Sequence, residues 1–349
     1  MDEGRRRDLH SPRKRLTGTE PESRSQVSAM SSEHNAKRAF VIFNPASGRG
    51  RGARRMDELL ELLGKHLPGV KHAATKEPGE ESLLADQALA DGYGLIVAVG
   101  GDGTWSNVAD RIVASGSNET VFGLLPAGTG NDFGRNFGFT GQNAESAVRT
   151  LAEGRVMEVD VGRIVSGGTP VGARTEVLGP KRGRHFLNLV GFGFDVAVIE
   201  DALGARFLRG ELLYKMTAIK NLFSFPGVAL ELTSDQPTVV GEQLMLTISN
   251  GPFFGGNFPI APAAELADGL LDACAIGNAA PLTRMRLFQM AEKGNHVRSP
   301  HVSTRRSGAF TVSFSAPPKY EVDGEVWQSD EAEVVVEVVP RALKVMVPG

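Results

Sequence analysis

The chain has 349 residues, 41% of them hydrophobic and 23% charged, with 42 glycines, one cysteine and a formal net charge of −3. Such a length and composition describe a globular protein with room for two domains and a sizeable core. A single cysteine, Cys274, excludes an internal disulfide framework, and the near-neutral charge offers no global field for nucleic acid. No apolar run approaches the ~18–20 residues needed to span a bilayer. No apolar segment follows the N-terminal arginines as a signal peptide requires, so a soluble cytoplasmic protein is expected.

The charge is uneven. Residues 1–38 hold nine Lys/Arg and six Asp/Glu, net +3, which leaves −6 for the remainder. Residues 1–36 are rich in Ser, Arg and Glu and nearly free of large apolar residues, the composition of a disordered tail. Met30, just before the ordered region, is a candidate for the true start.

Order begins at AFVIF (39–43), a short continuous apolar run typical of a strand buried on both faces. The glycine-rich NPASGRGRG (44–52) follows, then a helix over RRMDELLELLGKHL with Met56, Leu59, Leu60 and Leu63 on one face. VKHAAT is a second strand, EESLLADQALADG a helix closed by glycine, GLIVAV a third strand, WSNVADRIVASG its helix and VFGLLPAG a fourth strand. This alternation predicts an α/β domain over 37–160: a parallel sheet with helices on both faces. After Asp160 the pattern changes to β-like runs separated by turns, with helices expected only over 201–225 and 281–296. A mostly antiparallel, β-sandwich-like second domain is expected over 161–327. The last strands, 328–349, are expected to return to the first domain.

Three connections carry polar chemistry. NPASGRGRG, with Arg49, Arg51, Arg54 and Arg55 in or beside it, is either a mobile basic loop or an anion cradle at a helix start. It lacks the Walker pattern. VAVGGDGTWSNVAD (97–110) brings Gly100, Gly101, Asp102, Gly103 and Thr104 to the carboxyl end of a strand, where open α/β sheets bind ligands. Taken alone it reads equally as a tight corner with a capping acid. GLLPAGTGNDFGRNFG (123–138) repeats the theme one strand later with Gly128, Thr129, Asn131 and Asp132. Two such clusters at one sheet edge bring two carboxylates and several N–H groups to one crevice, as a Mg-nucleotide requires.

GGDGT, PAGTGNDFGR and NPASGRG together resemble the diacylglycerol kinase catalytic family, which includes bacterial lipid kinases and sphingosine kinases. The similarity continues through NLVGFGFDV, NGPFFGGNFPIAP, ADGLLD and VDGEVW, so it spans nearly everything from about residue 37. The resemblance implies an ATP- and Mg²⁺-dependent transfer of the γ-phosphoryl group to a lipid hydroxyl, of diacylglycerol or a sphingoid-like alcohol. It implies ATP contacts from Asn44, Thr75, Gly100 through Ser106, Gly128, Thr129 and Asn131. Asp102 and Asp132 would organise phosphate and Mg²⁺, Glu325 would be the general base, and Asp323 its support. A plain hairpin turn is the other reading of VDGE. ADGLLD is similar to a structural Mg²⁺ site in the second domain, with Glu265, Asp268 and Leu270 as oxygen donors. Ala263 and Ala267 stand where acids are usual there. Asp160 and Asp195 match further family positions, where a strand-end or turn role serves equally.

The stretch 203–225 combines apolar Phe207, Leu208, Leu212, Leu213, Met216 and Phe223 with Arg206, Arg209, Lys215 and Lys220. It reads as packing on the sheet or as a peripheral membrane contact, and 284–298 is a second candidate for the latter. The scattered histidines exclude a zinc pattern. The rivals are an NAD kinase, which shares GGDGT but not PAGTGNDFGR, and a non-catalytic lipid-binding protein on the same fold. The sequence leaves monomer or homodimer open.

Overall fold

The computed structural model describes residues 38–139, 143–171, 183–204 and 211–349. The N-terminal tail and residues 206–209 of the basic stretch lie outside them, as do the side chains of 211–216.

Four parallel strands open the chain: β1 (Ala39–Phe43), β2 (Lys71–Ala74), β3 (Leu95–Gly100) and β4 (Val121–Pro126), side by side in the order β2-β1-β3-β4. Every residue of β3 is buried, as its unbroken apolar run requires of a strand covered on both faces. Helices α1 (Ser47–His66) and α5 (Ala144–Glu153) pack on each other, as do α2 (Glu80–Ala90) and α3 (Asp102–Ala114). α1 begins at Ser47, inside the stretch read as a loop, so only Asn44–Ala46 are left as the connection. The short helix α4 (Asp132–Arg135) follows β4.

The second domain is antiparallel. β8 (Leu189–Gly193) lies between β10 (Val239–Ser249) and β16 (Lys319–Val322), and β10 also pairs with β9 (Val228–Thr233) and β13 (Leu271–Gly277). β14 (Val302–Ser307) extends the sheet beside β13, while β11 (Phe253–Phe254) and β12 (Phe258–Pro259) form a small separate ribbon. β16 turns into β17 (Glu325–Ser329), which pairs in turn with β6 (Gly168–Pro170). Of the two expected helices, the first is two: α6 (Phe194–Gly204) and α7 (Glu211–Ser224). α6 starts directly after Gly193, whose φ of 104° turns the chain out of β8 in a conformation open to glycine. The second, α8 (Pro281–Ala291), is followed by a 3₁₀ turn at Asn295–Arg298.

One long strand joins the two halves. β18 (Glu333–Val347) pairs with β15 (Ala309–Ser313) in its first part and runs parallel to β4 in its last. β5 (Arg155–Ile164) accompanies it antiparallel from Val336 to Val347, with an irregularity between Val339 and Leu343, and carries β7 (Arg184–Phe186) on its other edge. Asp160 sits at that irregularity, 1% exposed, accepting from the N–H groups of Arg341 (2.7 Å) and Gly269 (2.7 Å). Its carboxylate therefore fastens a strand bend to a loop of the second domain. Among the described residues, no helix is long and apolar enough to cross a membrane.

Candidate active site

The two glycine loops meet back to back. A Cβ on Gly128 would lie 2.4 Å from Gly101 Cα, and one on Gly101 would lie 2.9 Å from Gly128 Cα, so any side chain here would force the backbones apart. Asn131 shapes the second loop from a left-handed conformation (φ 54°): its Oδ1 accepts from Gly128 N–H at 3.1 Å, and its Nδ2 donates to Gly128 O at 3.2 Å. Asn44 ties the first connection to the second, donating to Thr104 Oγ1 at 2.9 Å. Thr104 in turn lies against Gly100, where a Cβ would meet it at 2.6 Å. Thr75 closes β2, its N–H on Phe43 O at 2.8 Å, and Thr129 is exposed at the loop tip.

Two carboxylates flank the crevice. A Cβ on Gly130 would be 3.0 Å from Asp102 Oδ2 and 3.5 Å from Asp132 Oδ2, so the backbone here passes between them. Asp102 Oδ1 accepts from Phe133 N–H at 3.1 Å, while Asp132 accepts from Gly256 N–H at 2.8 Å and pairs with Arg135 Nε at 3.2 Å. Burial first, and then the neighbouring Asp132 charge, push Asp102 up to about 7. Burial likewise raises Asp132. Two oxygen-only side chains whose ionised forms are penalised by each other and by burial fit a hard cation, which would relieve both penalties. Mg²⁺ on a nucleotide needs only one or two carboxylates besides phosphate and water.

VDGE is a hairpin turn and also reaches the crevice. Asp323 (φ 46°) and Gly324 (φ 88°) form the two-residue turn between β16 and β17, with Val322 opposite Glu325. The Asp323 carboxylate accepts from the N–H groups of Leu187 (2.8 Å), Asn188 (2.8 Å) and Leu189 (3.2 Å), which anchors the turn to the start of β8. Glu325 crosses to α3 of the first domain: its Oε1 lies 3.5 Å from where a Gly103 Cβ would stand and 3.4 Å from Asn107 Nδ2. Ser106, expected beside the nucleotide, is 1% exposed, and its hydroxyl serves Arg184 and Asp323 instead.

The second-domain donor set does not fit a metal. Arg306 pairs through Nη2 with Asp268 Oδ2 and through Nε with Asp272 Oδ1 at 3.3 Å, while Asp268 Oδ1 accepts from Leu270 N–H at 3.0 Å. A guanidinium already supplies the positive charge among Glu265, Asp268 and Asp272. Asp195 is buried at the start of α6, its Oδ1 on Val196 N–H at 2.9 Å, beside the equally buried Glu321.

The crevice opens into a cavity of about 740 Å³. Asp102, Asp132, Asp195 and Asp323 are among its lining residues, as are Arg284 and Glu292, while Phe194, Val198, Leu222, Leu244, Leu287 and Phe288 belong to a larger apolar share. Sequence reasoning missed Glu81, Asn107, Arg184 and Glu321. Arg184 stands in a basic run (KRGRH) that reads as surface, yet it is 2% exposed.

The diacylglycerol kinase catalytic domain matches residues 38–164, and the YegS C-terminal NAD kinase beta sandwich-like domain matches 188–347. The diacylglycerol kinase of Bacillus subtilis (strain 168) is 26% identical over 290 residues, covering 83% of this chain and 90% of the relative. That of Staphylococcus aureus (strain MRSA252) is 27% identical over 290 residues, 83% and 86%. A diacylglycerol kinase structure from Bacillus anthracis str. Sterne shares the fold with a TM-score of 0.64 at 17% identity, over 89% of this chain and 97% of that one. Another crystal structure from that organism gives 0.69 at 19%, over 89% and 95%. With both domain models matched in tandem around one crevice, the chain belongs to the diacylglycerol kinase catalytic-domain family and is a kinase.

Proposed function

We propose that this kinase transfers the γ-phosphoryl group of ATP, in the presence of Mg²⁺, to the hydroxyl of a long-chain lipid alcohol, with diacylglycerol the first acceptor to test. The observation that carries the reading is one cavity that reaches the Asp102 and Asp132 carboxylates of the glycine loops and is otherwise lined largely by apolar side chains. Its volume suits a ligand buried for most of its surface. A dinucleotide acceptor would meet Phe194, Leu222 and Leu287 where it needs hydrogen-bonding partners.

The nucleotide phosphates would lie over Gly101, Gly103 and Gly128, at the N-terminal end of α3, where the first-turn N–H groups and the helix dipole favour an anion. Mg²⁺, when bound, would neutralise charge on the phosphates, and Asp102 and Asp132 would be the residues to hold it. The acceptor oxygen attacks the γ-phosphorus, the bond to the β–γ bridging oxygen breaks, and ADP leaves. The hydroxyl proton passes to the base, for which the reading assigns Glu325, held on its hairpin by Asp323. Because Glu325 comes from the second domain and the phosphate loops from the first, closure of the crevice would gate the chemistry.

A lipid substrate needs a route from the bilayer. α7 and α8 turn Leu222 and Leu287 into the cavity while Ile219 (40% exposed), Phe223 (51%) and Leu282 (81%) face outward. This apolar display supports a peripheral membrane contact at those helices. The test is a [γ-³²P]ATP assay against a detergent-dispersed lipid extract, with the labelled product identified. A labelled lipid is expected. Labelled NADP from added NAD, with no labelled lipid, would overturn the reading in favour of an NAD kinase.

A further inference from the structure

We propose that Asn107 is a positioning residue for Glu325, and that Arg184 sets the direction in which its amide points. The inference rests on Glu325 being the general base. Asn107 lies on α3, one turn after Gly103, and is fully buried. Its Oδ1 accepts from Arg184 Nη2 at 2.8 Å. A guanidinium can only donate, so the amide oxygen must face it and the amide nitrogen must point the other way. That nitrogen meets two carboxylates: Glu81 Oε1 at 2.9 Å and Glu325 Oε1 at 3.4 Å. An amide carries two N–H donors, one for each acid.

The chain behind Asn107 is stiff. Arg184, on β7, pairs with Asp110 Oδ2 at 3.0 Å, donates to Ser106 Oγ at 3.0 Å and lies over the Trp327 ring, 5.8 Å from its centroid. Asp110 also accepts from His185 N–H at 3.0 Å. Glu81 is 2% exposed, and its Oε2 accepts from Gly79 N–H at 3.1 Å. The turn fixes the Glu325 backbone, but a glutamate side chain has three further rotatable bonds. The Asn107 amide, clamped from behind, holds Glu325 Oε1 over Gly103, beside the phosphate loop. A positioned base is worth more than a mobile one because the reacting geometry is prepaid.

Asn107→Asp tests this with nearly unchanged shape: the Arg184 contact survives, but a carboxylate now faces Glu81 and Glu325 and repels both. A fall in kcat of at least tenfold (about 1.4 kcal/mol) is expected, with KM for ATP and for lipid within twofold of the unchanged protein. In the Glu325→Gln background the residual turnover should not fall further, because the side-chain amide introduced there can donate to the new carboxylate. Arg184→Lys is the second variant, should Asn107→Asp fail to fold: it keeps the charge beside Asp110 and loosens the amide. It should give the same kcat loss, absent from the Glu325→Gln background. Should Glu325→Gln retain full turnover, the base reading itself falls. A Glu325→Gln enzyme that is nearly inactive, beside an Asn107→Asp enzyme with kcat within twofold of normal, sinks the positioning role alone. So does a loss that multiplies with that of Glu325→Gln, or one that appears in KM.

Discussion

Asp195→Asn should stabilise the protein at alkaline pH and leave it unchanged in acid. The carboxyl is 3% exposed and accepts only from backbone N–H groups, Val196 N–H at 2.9 Å and its own, which an asparagine oxygen can accept equally well. Burial pushes the acid up to about 7 from 3.8, and Glu321 beside it is raised as well, by burial first and then by Asp195. A carboxyl whose folded value is raised binds more protons in the folded state than in the unfolded one. Its cost is therefore nil below about pH 4, grows as pH rises to 7 and stays constant above. Three units correspond to roughly 4 kcal/mol at most. Because Glu321 shares the burden, a gain of about 2–3 kcal/mol at pH 8 is the working figure. Urea denaturation followed by the fluorescence of Trp105 and Trp327, both buried and one in each domain, reads it at pH 4.5, 6, 7 and 8. A stability difference that ignores pH, or a loss at pH 8, would refute the reasoning.

Gly128→Ala should raise the KM for ATP tenfold or more, since the new Cβ meets Gly101 Cα at 2.4 Å and backbone cannot step aside as a side chain tip can. Nucleotide titration checks it, with unchanged circular dichroism as the control. Phe223→Glu combined with Leu282→Glu should abolish co-sedimentation with lipid vesicles while keeping most turnover on detergent-dispersed acceptor, because both side chains face solvent outside the cavity. Arg306→Gln should uncover a divalent-cation site at Asp268 and Asp272, detected as an added class of bound Mn²⁺ by paramagnetic resonance, where the unchanged protein shows none at that site.

What the sequence determined by itself is local and contiguous. The strands AFVIF, GLIVAV and VFGLLP and the helices between them are read from apolar periodicity. GGDGT and PAGTGND are read as phosphate-loop candidates because each is one short segment whose glycines, threonine and acid fall at a strand end. The tertiary structure decided everything that depends on partners far apart in the chain. Gly101 and Gly128 prove to be one contact between two loops, and Asp323 an anchor whose donors lie more than 130 residues earlier. Asp268, read as a metal ligand, has Arg306 as its counter-charge. Arg184, which looks like one more surface arginine, is buried against α3 because Asp110, Ser106 and Asn107 converge on it from 74 or more residues away. Periodicity records which face of an element is apolar. It carries no record of which buried polar groups will meet, because that follows from how the two domains close on each other, and the desolvation of each group is repaid only by the partner that closure supplies.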